Sequence, residues 1–299
     1  MSKISGETLS SWTKPPSETE ESKLQNAQRM VKEALKSNEK LKTKNFDIFG
    51  QGSYANDTNV KLNSDIDINV CYLDGFYFQL GEKLTEQDVG LDALPSANYS
   101  FQEYKNDVEQ ALISYFGKEN VIRKNKCLTV LGNSYRVETD VVPTWKYKRY
   151  DSKTAIVEGT KFISDDGVDV VNYPKQHIQN GIQKNTFTSK RFKRLTRVHR
   201  KLRYKMIDDG ININNGITSF LLECLVWNLP NEIFNNYNTW DDRLKQSIIH
   251  IYDKTKNDSL CDDWGEVSEL LYLFKGNRKW TVNDVNQYMI QAWNYLEYK

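Results

Sequence analysis

Histidine and cysteine are scarce, and those present stand apart. The 299-residue chain has three histidines and four cysteines. Cys71, Cys127, Cys224 and Cys261 make no C-x-x-C pair, and His177, His199 and His250 are equally dispersed. A structural zinc site and a disulfide framework are therefore excluded, which leaves reduced thiols serving as small hydrophobes. No run of about 18 or more apolar residues is present to span a bilayer. The opening MSKISGETLSSWTKPPSETEESK also lacks the apolar stretch of a signal peptide. A cytoplasmic protein with no membrane partner is expected. An excess of one charge is missing too, because 41 Lys and Arg against 40 Asp and Glu leave a net +1. Attraction of nucleic acid would need a local patch, so no nucleic-acid partner is expected. Internal repeats and low-complexity segments are absent.

What the chain does have is the composition of a packed protein, with 38% hydrophobic and 12% aromatic residues. Its length suits two lobes. Residues 1–17 read as an irregular arm. Ser17 then supplies an N-cap with Glu20 as its capping-box partner, and a helix to Ser37 carries Leu24, Ala27, Met30, Val31, Ala34 and Leu35 on one stripe. Strands are expected at 47–49 and 65–72, an insertion with some helix at 73–98, and an amphipathic helix at 101–116 stopped by Gly117. A hairpin turning at Gly132-Asn133 joins strands 121–131 and 135–142, with Pro143 ending the second. Residues 144–185 are mixed, with a short strand at 161–164. Helices follow near 188–207, 216–228, 240–254, 263–274 and 281–297. The reading is α+β, a mixed-sheet lobe followed by a helical lobe.

The chemistry concentrates near residues 50–67. Side chains alternate across a strand, so Asp65, Asp67 and Asn69 share one face while Ile66, Ile68 and Val70 share the other. Aspartate is depleted in strands, and two facing one way ask for a reason. A solvent-facing polar strand is the plain one. Further on, the same alternation groups Glu138 with Asp140. If that strand neighbours the first, Asp140 or Glu138 completes a three-carboxylate cluster. Like charges at that range repel, and divalent metal is the usual relief. Ahead of the aspartates, Gly50-Gln51-Gly52-Ser53 makes a turn whose glycine lets the backbone approach a phosphate closely. Alone it is only a turn; twelve residues before Asp65 it forms a constellation.

Gly52-Ser53-Tyr54, the Asp65-Ile66-Asp67 pair and a distant Asp140 resemble the DNA polymerase β-like nucleotidyltransferases. More narrowly, the chain resembles the bacterial cGAS/DncV-like nucleotidyltransferases, clade E, through Gln51 to Thr58, Ser64 to Asp67, Asp140-Val141-Val142, Glu158-Gly159 with Phe162, Val170 to Lys175 with His177, and Ser219 to Leu225. The resemblance implies a catalytic lobe over 1–185, including an N-terminal helix that bridges the lobes. It also implies a helical lobe over 186–299 that closes the nucleotide cleft. Asp65, Asp67 and Asp140 would hold magnesium, with manganese as a substitute, and Gln51, Gly52 and Ser53 would grip the triphosphate. The implied activity joins two nucleoside triphosphates, UTP and ATP among them, into a cyclic dinucleotide that signals in anti-phage defence. A monomer is expected. Asn172 holds the place of a pyrimidine-contacting asparagine, whose amide both donates and accepts, and Ser219 matches a cleft-lining position. A purine product, and template-independent transfer to RNA or protein, stay open as alternatives.

Residues 190–205 carry nine cations and no acid. Phe192, Leu195, His199, Leu202 and Met206 form the inward stripe. Lys193, Arg197 and Arg200, spaced three and four apart on one face, are the candidates for phosphate contact; the other cations are read as solvated. Trp227, Trp240, Trp264, Trp280 and Trp293 are read as core, and Tyr173 as an alternative base-stacking ring.

Overall fold

The computed structural model describes residues 3–15, 19–60, 65–133 and 136–299. In chain order the elements are α1 (Gly6–Trp12), α2 (Thr19–Ser37), β1 (Phe46–Gln51), α3 (Gly52–Ala55), β2 (Ile66–Leu80), α4 (Phe101–Phe116), β3 (Val121–Arg123), β4 (Leu128–Val130) and β5 (Thr139–Tyr150). They continue with β6 (Ile156–Ile163), β7 (Asp169–Asn172), α5 (Pro174–Phe187), α6 (Arg191–Asp208), α7 (Ser219–Trp227), α8 (Asn231–Asn235), α9 (Trp240–Lys254) and α10 (Val282–Tyr295). The chain divides into a sheet unit, residues 17–55 and 63–174, and a helical unit, residues 1–16, 56–62 and 175–299. The division therefore falls after Pro174, ahead of the expected 185, and the helical unit also claims the N-terminal arm and a short internal segment.

In the sheet unit the strands run β1-β2-β5-β4-β3, with β6 pairing β5 and β7. β2 and β5 are parallel, and the other pairs are antiparallel. Ile66, Ile68 and Val70 of β2 are fully buried with Leu128, Val130 and Val141, against Ala27, Val31, Ala34 and Leu35 of α2 and Tyr104, Val108, Ala111 and Leu112 of α4. This is the alternation expected from the sequence, with the apolar face under two helices and the polar face left for chemistry. Helix α4 keeps its predicted limits. Ser100 and Glu103 form a capping box at its start, and Gly117, at φ +91°, ends it. The capping box expected at Ser17 lies outside the described residues.

Three expectations for this unit fail for identifiable reasons. β2 does not stop at Tyr72; a bulge between Tyr72 and Phe76 absorbs Leu73-Asp74-Gly75, and the strand continues to Leu80. The expected strand 121–131 is two strands, β3 and β4, which pair with each other. Pro143 does not end β5. The Ile66 amide donates to the Glu138 carbonyl, so by alternation the even-numbered residues of β5 bond to β2 and position 143 faces the other way. On that side β4 pairs residues 139–141 and β6 pairs 145–150. The proline stands in the gap, where no N–H is required.

The helical unit has its own core, built from Phe192, Leu195, Val198, Leu202 and Met206 of α6, Leu221, Leu222 and Leu225 of α7, and Leu244, Ile248 and Ile251 of α9. The arm joins this core. Ser5 caps α1 by accepting from the Thr8 amide, and Ile4 and Leu9 are buried in the core. The arm is thus partly helical where an irregular segment was expected. Residues 263–274 are not a helix. Gly265 pairs with Tyr272 in a β-bridge, and buried Glu266 takes an ion pair from Arg278 at 2.6 Å. The tryptophans expected in the core pack there, Trp264 at 6% exposure and Trp227, Trp240, Trp280 and Trp293 at its margin. No helix among the described residues is long and apolar enough to cross a membrane.

Candidate active site

The register of the sheet sets four side chains in one row. Gln51 of β1 lies opposite Asp67 of β2, Asp67 opposite Asp140 of β5, and Asp140 opposite Thr129 of β4. Paired residues share a face, so the row stands on the polar side of the sheet. Asp65 lies just ahead of β2 and is exposed. One row along, the Asn69 amide donates to Gln51 Oε1 at 3.0 Å and the Thr144 hydroxyl donates to Asn69 Oδ1 at 2.7 Å. Asn69 and Thr144 are each 1% exposed, so this polar chain is a fixed floor under Gln51. The Thr129 hydroxyl donates to Asp140 Oδ1, and Lys124 Nζ stands 3.4 Å from the same oxygen.

After Gln51 the backbone turns sharply. Gly52 has φ +69°, a left-handed conformation, and a Cβ there would lie 2.1 Å from Asp67 Oδ2. No other residue fits so close to that carboxylate. Ser53 follows in the first turn of α3. The structure thus brings Gln51, Gly52, Asp67 and Asp140 together, with Ser53 and Asp65 adjacent along the chain.

The electrostatics match the crowding. The Asp67 carboxyl is pushed up to about 7, by burial first and then by the charges of Asp140 and Asp65, with Lys124 opposing. Burial, followed by Asp140, also raises the Cys127 thiol to about 11, so it stays a protonated packing group at neutral pH. Among the described residues no three His, Cys, Asp or Glu side chains are gathered tightly enough to hold an ion as they stand.

At the far end of the sheet, Asn172 ends β7 with its side chain exposed. A Cβ on Gly159 would lie 2.8 Å from both the Asn172 carbonyl and the Tyr173 ring. Tyr173 is 3% exposed and meets Tyr147 edge-on. It is a wedge behind Asn172 and offers no free face for a base.

The remaining expected site residues lie in the helical unit. Arg197 and Arg200 are 3% and 4% exposed. Arg197 Nε donates to the Thr13 carbonyl at 2.8 Å and its Nη1 to the Asp57 carbonyl, while Arg200 donates to the Thr58 carbonyl at 2.8 Å and pairs with Glu223. These bonds all lie within the helical unit, and the buried Arg200 Nε has no hydrogen-bond partner among the described residues. Lys193 is 9% exposed, its ammonium pKa lowered by burial against the opposing pull of Asp57 and Glu223. Ser219 opens α7, half-buried, its hydroxyl 3.4 Å from that of Tyr204. His199 is core, as expected, hydrogen-bonded to Ser247 at 2.7 Å.

Residues 179–297 match the model of the cGAS/DncV-like nucleotidyltransferase C-terminal helical domain. Over its full length the chain is 61% identical to the cyclic dipyrimidine nucleotide synthase CdnE of Cecembia lonarensis, with 100% of each chain covered. The chain belongs to the cGAS/DncV-like nucleotidyltransferases. Its fold superposes on a solved structure of the CdnE cyclic dinucleotide synthase of Elizabethkingia meningoseptica with GTP and Apcpp, at TM-score 0.83 and 37% identity, covering 99% and 100% of the two chains. A structure of the Rhodothermus marinus CdnE c-UMP-AMP synthase with Apcpp and Upnpp matches at TM-score 0.83 and 26% identity, covering 97% of each.

Within this family of nucleotidyltransferases, which generally depend on divalent metal, the donor chemistry here fits such an ion. Asp65, Asp67 and Asp140 are hard oxygen donors, and the repulsion that raises Asp67 is what a cation would relieve. Sequence reasoning missed the supports of the row, namely Lys124, Thr129, Asn69 and Thr144. Only Asn69 carried a signal, its place on the aspartate face.

Proposed function

We propose that this cyclic nucleotide synthase condenses two nucleoside triphosphates, at least one of them UTP, into a cyclic dinucleotide that serves as a signal in anti-phage defence. The observation that carries the chemistry is Asp67 beside Asp140 in one row, with Gly52 folded against Asp67. Asp65, Asp67 and Asp140 would hold magnesium, which when bound stabilises charge on the transferring phosphoryl group. Gly52 and Ser53 grip the triphosphate through backbone N–H groups and the serine hydroxyl, with Gln51 held ready by Asn69. The 3′-oxygen of one nucleotide forms a bond to the α-phosphorus of the other, pyrophosphate leaves with the electrons of the broken P–O bond, and the hydroxyl proton passes to solvent. A second round closes the ring. Asn172 reads the uracil edge, donating and accepting through one amide.

The relative from Cecembia, named for dipyrimidine products, supports uridine use, as does the Rhodothermus enzyme that makes c-UMP-AMP. The test is chromatographic identification of the product from mixed labelled NTPs with magnesium. A uridine-containing cyclic dinucleotide is expected. A purine-only ring would overturn the base assignment, and label on RNA or protein with no small cyclic product would overturn the reaction.

A further inference from the structure

Between the Gly-Ser turn and the aspartates, the chain passes through a polar segment that is nonetheless buried. Asn56, Thr58 and Asn59 are 8%, 0% and 5% exposed. This segment belongs to the helical unit, whereas the residues on either side of it, up to Ala55 and from Asn63, belong to the sheet unit. Four charged or titratable side chains of the helical unit hold Asp57 and Thr58 within it. Arg200 donates to the Thr58 carbonyl at 2.8 Å and also to Glu223 Oε2, and the Thr58 hydroxyl donates to that same Oε2 at 3.0 Å. His177 Nε2 lies 3.2 Å from Glu223 Oε1, so both carboxylate oxygens are engaged. Arg197 holds the preceding residue through the Asp57 carbonyl and carboxylate, the latter at 3.3 Å.

Such a network is a poor way to gain stability. Burying a pair of charges costs about as much as their attraction returns, and apolar residues of the same volume would serve as well or better. What the network does supply is directionality. It ends on the carbonyl and hydroxyl of Thr58 and on the adjacent Asp57, with Thr58 five positions after Ser53 and seven before Asp65.

We propose that Glu223 is a positioning residue for nucleotidyl transfer, acting through Arg200 and Thr58 to fix the anchor from which the Gly52–Ser53 turn is held. The inference rests on that turn gripping the triphosphate. It assigns a task to the Ser219–Leu225 stretch, in which Glu223 is 3% exposed on a helix whose other buried residues are apolar. A displaced turn misaligns the α-phosphorus, and misplacement on the order of 1 Å costs about a hundredfold in rate.

The test uses the whole chain with Thr58→Val, which keeps the shape and removes the hydroxyl, Thr58→Ser, which restores it, and Glu223→Gln, which removes the charge. Ile251→Val, a truncation in the helical core, serves as a control for lost stability alone. Pyrophosphate release from mixed NTPs is measured well below each variant's Tm, together with binding of a non-hydrolysable UTP analogue. We expect kcat to fall at least about tenfold for Thr58→Val and Glu223→Gln with KM moving far less, recovery in Thr58→Ser, and no change in kcat for Ile251→Val. Unchanged kcat in Thr58→Val and Glu223→Gln at whatever Tm would overturn the proposal, leaving the clamp purely structural. Failure of the underlying reading is distinguishable, because Ser53→Ala and Asp65→Asn would then retain full activity and analogue binding.

Discussion

Asp67 and Glu223 are both carboxylates withdrawn from water, yet they depart from the ordinary range in opposite directions. Burial raises the first, and its neighbours Asp140 and Asp65 raise it further. Burial works on Glu223 as well, but Arg200, His177 and Thr58 outweigh it and hold the carboxyl below its usual range. The difference is company, since the sheet unit leaves like charges facing one another while the helical unit pairs every buried acid in its clamp. An arrangement that leaves repulsion standing is kept for a ligand that relieves it; one that pairs its charges holds the backbone on which it ends. The same contrast sorts the cations, with Lys124 beside the aspartate row and Arg197 and Arg200 committed to backbone carbonyls.

The largest effects should separate the two acids. Asp67→Asn removes a repelled carboxylate from the row, so kcat should fall about 10³-fold, in line with the several kcal/mol that metal-held charge stabilisation supplies, while Tm stays level or rises. Pyrophosphate release and thermal unfolding of one preparation check both; retained turnover, or a large loss of Tm, would break the comparison. Glu223→Ala should act the other way on stability. It strands Arg200 in the interior, and removing one partner of a buried pair typically costs about 3–5 kcal/mol, measurable as a shift in denaturant midpoint at constant m-value. A change below about 1 kcal/mol would show that water or a rearranged Arg200 replaces the carboxylate.

His199 gives a smaller, pH-dependent version of the same test. Burial lowers its imidazole from 6.5 to about 4, so the fold holds it neutral against Ser247 while the unfolded chain takes up a proton first. Stability contributed by the neutral form is therefore present above about pH 6.5 and lost as pH falls towards 4. At about 1.4 kcal/mol per unit the loss approaches 3 kcal/mol. Urea unfolding at pH 7 and pH 4.5 should show it, and His199→Gln should remove most of the difference. An unchanged slope in that variant would move the acid sensitivity elsewhere.

How much of this was legible in the residues depends on the range of the interaction. Alternation along β2 separated Ile66, Ile68 and Val70 from the aspartates, because a strand's period is local and strict. Gly117 marked the end of α4 for the same kind of reason. The neighbour relation between Asp67 and Asp140 needed a long-range pairing, and the like character of their faces suggested it without dictating it. The continuation of β5 through Pro143 was hidden, since only the partners on its two sides reveal that the missing N–H faces a gap. The basic helix shows a related limit. Three-and-four spacing correctly put Lys193, Arg197 and Arg200 on one face of α6, but periodicity says nothing of what that face meets. For Arg200 it is a carbonyl 142 residues away.

The finest effect tests how far the open character of the sheet face extends, to the exposed Asn172 at the end of β7. Its backbone is fixed, with the carbonyl packed against Gly159 and Tyr173 wedged behind it, while its amide is free to select. Asn172→Ser keeps a hydroxyl that can donate or accept but shortens the reach. A site built to hydrogen-bond a substrate group penalises the loss of that bond through the unpaired polar atom left behind. For an exposed amide the penalty should sit at the low end, and we expect the uridine-to-purine ratio in the product to fall roughly tenfold, about 1.4 kcal/mol, with total turnover changed less. Product chromatography from equimolar NTPs reads the ratio directly. A fixed ratio with lower turnover would make Asn172 part of the scaffold and would move base selection to the helical unit, where Ser219 is the first residue to exchange.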